Sequence, residues 1–480
     1  MKKIISVLKD KILIIDYCLL ILSFITSIFD WSNISIVLLI VASILFIKII
    51  KDIIGNYMSF TVLFSCFHVL YGLAGVISKC WFNQMSSTYG NVFVYSPYLM
   101  MYSLCTIALL TGIIFSNKKG EIKVNKTEKD NKEKKRFFLF IAYSGFLLTS
   151  LFEIINFARV GGIETLLKGK AIYQAAVDEL IFTLPTLYIF EVSFAAFCIF
   201  LLIYLSEKNK VPIKEIFICL GFALPYIAMI ILLGRRGPIL VSVLMVLIAL
   251  FQIKPLKNIS VKLIAGLIAV YLILGVGYAI RNDIGLIFKD FEQFRKNNSV
   301  EKIIKNLNPA LTEFGCTYGN FNKFYIAGDY ELLYGKSYLQ GLVHVIPTYL
   351  YPGQKPRMIT YEFRDKYFPA KAEISSIAST GFSSILEAYW NFWYFGAFVY
   401  FLYGYMLIIL EKRLKNKSYF WMLEYISIIA TVYSFHRSEF GHSISEIIMI
   451  TMEIVVIYAF YKIVYNRENM VSNFIKKYIK

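Results

Sequence analysis

The stretch Leu233-Gly-Arg-Arg-Gly-Pro-Ile239 sets two adjacent guanidinium groups between apolar runs, Ile216 to Leu233 before it and Ile239 to Phe251 after it. An Arg at the centre of a membrane span costs about 2.5–3.5 kcal/mol on an insertion scale, so Arg235 and Arg236 belong at an interface or in a wet cavity, at the turn between two spans. The rest of the chain agrees with that setting. Its 480 residues are 58% hydrophobic and 17% charged, with a mean hydropathy of +0.61, whereas soluble domains run near about 45–50% apolar and about 25% charged. The expected fold is therefore an all-α, polytopic integral membrane protein.

Windows of about 20 residues find apolar spans near 12–29, 33–50, 57–78, 94–116, 137–156 and 185–205. A second set follows near 216–233, 239–253, 261–280, 384–410, 418–435 and 444–463, about twelve helices in all. This divides the chain into four regions. Residues 1–136 hold about four spans and a charged linker, 137–280 the central spans with the Arg-Arg turn, 281–380 a long loop with amphipathic helices, and 381–480 the last spans and a tail. The start of the chain carries no small-residue cleavage site after its first apolar run, so that run is read as a span rather than a secretory signal. No internal repeat is evident, which disfavours transporters built from inverted halves.

A net charge of +18 suggests nucleic acid until its distribution is considered. With the N-terminus inside, thirty of the 50 Lys and Arg residues fall in segments on one face, nine of them in 117–136 alone. The short loops of the other face hold seven: Lys79, Arg159, Lys168, Lys170, Arg235, Arg236 and Arg437. By the positive-inside rule both termini are cytoplasmic and the Arg-Arg turn faces outward. Nucleic acid is excluded as a partner, and the lipid bilayer takes its place. Five of the seven cysteines lie inside apolar runs, where they act as small hydrophobes, and nothing in their spacing pairs Cys80 with Cys316. There is no phosphate-cradling Gly-rich loop and no His or Cys metal spacing, so neither a cofactor nor a metal is expected. The acid-x-acid pairs Asp290-Phe-Glu292 and Asp329-Tyr-Glu331 read as charged surface.

The long outer loop mixes aromatics with charge, as in Tyr361-Glu-Phe-Arg-Asp-Lys-Tyr-Phe-Pro369. Such a composition suits a sugar, whose C–H faces stack on rings while its hydroxyls need polar partners, and it equally suits an interfacial aromatic belt. Beyond the loop, Ser383, Glu387 and Asn391 recur at helical spacing on one face. At Glu387 a functional carboxylate and a structural hydrogen bond both remain open. The turn Phe435-His-Arg-Ser-Glu-Phe-Gly-His442 adds Arg437 to the outer face, followed by Glu439. Fixed Arg forks match phosphate oxygens, and Arg235, Arg236, Arg281, Arg357, Arg364 and Arg437 are the donors on offer. Glu362, Asn391 and Glu439 stand beside them as candidate binding groups. A general base is needed for any transfer to a hydroxyl, and His436, Glu387, Glu439, Glu362 and His344 qualify by type alone.

Taken together, the Arg-Gly turn at 234–240, the long outer loop, the run Ser384-Ile-Leu-Glu-Ala-Tyr-Trp-Asn-Phe-Trp-Tyr-Phe-Gly396 leading into a span, and the 436–442 turn resemble the Wzy-type oligosaccharide repeat-unit polymerases of O-antigen and capsule synthesis. The resemblance implies a membrane glycosyltransferase of the GT-C type in the bacterial cytoplasmic (inner) membrane. Its substrate would be a polyprenyl-diphosphate-linked oligosaccharide, and its expected partners a chain-length regulator and the flippase of the same pathway. It further implies that Arg235 or Arg236 and Arg437 are the essential outer arginines and that Glu387 is the family's acid. The family's usual Asn-Phe-Gly reads Asn391-Phe-Trp-Tyr-Phe-Gly396 here. A flippase for lipid-linked sugars, and a ligase that moves finished glycan onto another acceptor, share many of these features.

Overall fold

The computed structural model describes residues 2–117, 131–168, 186–207, 212–233, 235–253, 290–300, 314–328, 331–346, 351–370, 381–415 and 419–478, with isolated positions between them. Every extended element among them is helical. In chain order they are α1 (Lys2–Ile28), α2 (Ser32–Ile54), α3 (Phe60–Phe82), α4 (Ser96–Asn117), α5 (Asn131–Arg159), α6 (Gly162–Leu167), α7 (Leu187–Ser206), α8 (Ile213–Leu232) and α9 (Arg236–Ile253). Then come α10 (Phe291–Asn297), α11 (Gly315–Ala327), α12 (Lys336–His344), α13 (Ile359–Tyr367), α14 (Ser384–Phe392), α15 (Ala397–Lys415), α16 (Tyr419–Ser427), α17 (Ile429–Phe435) and α18 (Phe440–Tyr478).

Among the described residues, nine helical stretches are long and apolar enough to cross a membrane, and Gly237–Phe251 is a shorter apolar one. The protein is an all-α, multi-pass membrane protein. The expected span at 261–280 lies outside the described residues, as does most of the amphipathic stretch before α10. The expected span at 418–435 is interrupted at Ile428, between α16 and α17.

The clearest departure from the sequence expectation is at 384–410, which is not one straight helix. Ser384 Oγ lies 2.7 Å from Tyr400 Oη, whereas sixteen residues of straight helix would part them by about 24 Å. The chain reverses through the 3-10 turn Trp393–Gly396, where Trp393 takes a left-handed φ of 56°. Thus α14 is a short helix folded back on the start of α15. Apolar composition reports that a segment can be buried, but it does not report a fold-back within the segment.

One core runs from Leu20 to Ile454, so the first helices and the last share it. Serines join α1, α2 and α4 through Ser23–Ser35 (2.8 Å), Ser27–Ser35 (2.7 Å) and Ser23–Ser103 (3.2 Å). In apolar surroundings such hydroxyls replace the hydrophobic drive that lipid cannot supply between helices. Helix α11 packs against α3, with Thr317 Oγ1 donating to the Tyr71 carbonyl. Helix α12 crosses α18 at two glycines, where a Cβ on Gly341 would stand 2.7 Å from Gly441 Cα. Only glycine on both sides permits that approach, and it brings α12 against the first turn of α18.

Candidate functional site

Three short elements from distant parts of the sequence meet at Glu387. Its Oε1 accepts from Ser337 Oγ on α12 at 2.7 Å, and its Oε2 accepts from the Phe440 backbone N–H at 2.7 Å. Phe440 is the first residue of α18, so the carboxylate sits at the positive end of that helix, where negative charge is favoured. Asn391, one turn on, donates to Ser337 Oγ (2.8 Å) and to the Glu387 carbonyl (2.8 Å), and its Oδ1 accepts from the Gly335 N–H (2.9 Å). The helical stripe read from sequence is therefore real: Glu387 and Asn391 share a face, and Ser383 caps the helix by accepting from the Leu386 N–H at 3.2 Å. With 1% of its surface exposed and both oxygens engaged, Glu387 ties α12, α14 and α18 into one unit.

The turn between α17 and α18 carries the next group. The Arg437 carbonyl accepts from the Phe382 N–H at 2.7 Å, which fixes the turn against the start of α14. The Arg437 guanidinium reaches Tyr433 Oη at 3.3 Å and lies 5.8 Å from the centre of its ring. The same ring packs beside the Arg-Arg turn, since Tyr433 Cε1 lies 3.3 Å from where a Cβ on Gly237 would stand. Arg235 is half-buried, its N–H bonded to the Ile230 carbonyl at 2.9 Å, and Arg236 opens α9 with a side chain outside the described residues. Tyr433 thus links the two arginine turns, which are about 200 residues apart in sequence.

Glu439 belongs to the same turn, and its Oε2 accepts from the Thr360 N–H at 2.8 Å, which draws the first turn of α13 onto the site. Burial holds the Glu439 carboxyl above the ordinary carboxylate range, outweighing the hydrogen bonds from Thr360. Further along α13, buried Arg364 donates to Asp365 Oδ1 through Nε (2.8 Å) and Nη2 (2.6 Å), and Arg357 meets Asp365 Oδ2 at 2.5 Å. Partial burial opposes ionisation of Asp365, and the two arginines together outweigh it, so its carboxyl lies below the usual range. Arg364 also lies 5.2 Å from the centre of the Tyr361 ring. Glu362 shares this helix, and Arg281 lies outside the described residues.

His436 points away from this group into the core. Its Nε2 lies 3.1 Å from the Phe64 carbonyl oxygen and so carries the proton, and its ring packs 4.5 Å from Phe64 and 5.5 Å from His68. His344, at the end of α12, is held below its ordinary range by burial, with Lys355 nearby acting the same way.

The structure thus gathers Glu387, Asn391, Arg437 and Glu439 around the start of α18, with the Arg-Arg turn against α17 through Tyr433 and Arg357, Arg364 and Glu362 on or beside α13. Residues 12–468, nearly the whole chain, match the family of the O-antigen polysaccharide polymerase Wzy. The chain belongs to that family. No curated protein and no solved structure matches it. The Wzy assignment makes the chain a polymerising glycosyltransferase that acts at a membrane, in line with the resemblance carried by the 234–240, 384–396 and 436–442 motifs. Two contributors to this candidate site do not stand out in the sequence. Ser337 is a lone serine with no motif around it, whereas Tyr433 stood four residues before Arg437, a spacing at which a ring and a cation meet on a helix.

Proposed function

We propose that the chain polymerises lipid-linked repeat units on the outer face of the bacterial cytoplasmic membrane, with both of its termini inside. The growing glycan leaves its polyprenyl diphosphate and passes to a hydroxyl of the next lipid-linked unit. The bond between the anomeric carbon and the diphosphate oxygen breaks, a bond from that carbon to the acceptor oxygen forms, and the acceptor proton goes to a base. Polyprenyl diphosphate is released. The observation that carries this reading is Tyr433, which contacts Arg437 and packs against Gly237 beside the Arg-Arg turn, so that the two arginine-bearing turns are neighbours.

Diphosphate is already a good leaving group, so the main requirement is to stabilise charge as it departs. Preorganised arginines meet that need directly. Arg235, Arg236 and Arg437 take this role, with Arg357, Arg364 and Arg281 as further phosphate or glycan contacts. For the base we assign Glu439. Glu387 has both oxygens engaged and His436 faces the core, whereas Glu439 adjoins Arg437, and a raised carboxyl is better matched to taking a proton near neutral pH. Glu387 and Asn391 are positioning residues that hold the start of α18.

The test uses sealed vesicles with repeat units supplied on the face that carries the Arg437 turn. Polymer formed without any transport step supports the polymerase reading. Movement of units across the membrane without glycosidic bond formation sinks it in favour of a flippase.

A further inference from the structure

A second polar site lies at the end of α13 remote from Thr360, the residue bonded to Glu439. It is a groove of about 460 Å³ lined by Tyr89, Asn91, Lys323, Lys366 and Tyr367, with Gly90, Val92, Ile326 and Ala327 completing its walls. Its size is that of a small-molecule or oligosaccharide pocket. No carboxylate lines it among the described residues, while two ammonium groups do. Lys323 Nζ lies 5.1 Å from the centre of the Phe368 ring and Lys366 Nζ lies 5.3 Å from that of Tyr367. The groove belongs to none of the arginine clusters described above.

Its walls are built rather than incidental. Asn322 on α11 accepts from the Val94 N–H at 2.8 Å and donates to the Val92 carbonyl at 2.9 Å, which clamps the 92–94 strand of chain onto that helix. Tyr89 lies flat against Gly319, where an added Cβ would stand 2.5 Å from the ring, and its edge meets Phe368 at a centroid distance of 6.1 Å. The aromatic wall and both lysine-bearing helices are thus held in place before any ligand arrives.

We propose that this groove binds an acidic sugar, one bearing a carboxylate or phosphate, in the glycan that the enzyme handles. Tyrosine rings offer faces for sugar C–H groups, the Asn91 amide offers a donor and an acceptor for hydroxyls, and two point charges fit an anion that has no fixed bidentate orientation. The position of the groove supports a glycan in particular. Thr360, bonded to Glu439, and Lys366, in the groove, are six residues apart on α13, about 9 Å along its axis. The groove therefore lies within the reach of a short oligosaccharide whose reacting end is at Glu439. The groove then makes the polymerase selective for repeat units with a negative charge set back from the reacting end. The link to the reacting end rests on the proposed function, whereas binding of the acidic sugar does not.

The experiment uses the full chain in nanodiscs of neutral phosphatidylcholine, with fluorescent trigalacturonate as the acidic probe and maltotriose as the neutral one. The wild type binds trigalacturonate at least about tenfold more tightly than maltotriose, and more weakly as salt rises. The double variant K323Q/K366Q loses about tenfold or more of that affinity while its elution profile and melting temperature stay unchanged. Replacing Asn91 with Ala, on an exposed loop, weakens both probes by a smaller factor and tests the groove without touching charge. Equal binding of the two probes, or full binding by K323Q/K366Q, overturns the proposal. Discs containing phosphatidylglycerol in which the lysines respond to lipid and not to trigalacturonate overturn it as well, in favour of a lipid headgroup. If lysine-dependent binding is seen but outward-facing repeat units are not polymerised, the polymerase reading fails and the groove stands.

Discussion

Two buried carboxylates show how differently this protein treats charge in its interior. Glu387 is gripped by Ser337 and by the first N–H of α18, and Asn391 braces the same serine. Asp16, on α1, is equally buried, yet neither of its oxygens has a hydrogen-bond partner among the described residues. A buried polar group costs little once its bonds are made and costs its full desolvation when they are not. The Glu387 region is thus a junction where polar bonds specify how three short helices meet. The α1–α4 region is held by apolar packing and a few serine hydroxyls, with Asp16 as a buried polar group whose oxygens accept no hydrogen bond among the described residues.

The largest expected effect tests whether the junction serves chemistry. Replacing Arg437 with Ala should lower polymer formation by about a hundred- to a thousandfold, the scale on which a lost charge-stabilising donor is felt, with protein level in the membrane unchanged. Normal polymer length on a gel of extracted glycan would detach the turn from the reaction. Next, E439Q should cost about a hundredfold in rate. The wild-type rate should fall as pH drops through the Glu439 carboxyl, whose burial sets that fall above the ordinary carboxylate value of about 4.3. An acid limb at or below that value would return the base to the other candidates.

The comparison itself is tested by two stability measurements in detergent. E387A strands the Ser337 hydroxyl and the Phe440 N–H, and should lower unfolding stability by about 3 kcal/mol, while E387Q, which keeps one acceptor and gains a donor for Ser337, should lose about 1 kcal/mol. Asp16→Leu removes an unpaired group and should leave stability unchanged or raise it by about 1 kcal/mol. If Asp16→Leu proves as damaging as E387A, Asp16 has a partner and the contrast between the two regions collapses.

Much of the architecture was legible because it rests on local sums. The spans at 12–29, 33–50, 57–78, 94–116, 137–156, 185–205, 216–233 and 444–463 each coincide with a long helix. The spacing of Ser383, Glu387 and Asn391 placed the last two on one face for the same reason, because helical periodicity is a property of neighbours. The fold-back at Trp393–Gly396 was hidden, since the residues on both sides of it are apolar and a window average does not distinguish a straight span from a hairpin. Ser337 was hidden too, because its importance lies in a partner fifty residues away.

By itself, then, the sequence determined that this is a helical membrane protein, which arginines stand in short turns between spans, and which carboxylates sit at helical spacing near them. These follow from transfer free energies and charge counts that add residue by residue. The tertiary structure alone decided that Tyr433 links two arginine turns, that Glu387 is engaged at a junction while Glu439 adjoins Arg437, and that Tyr89, Lys323 and Lys366 share one groove. Hydrogen bonds and cavities form between residues that distance along the chain does not relate. They exist only once packing has chosen which helices touch.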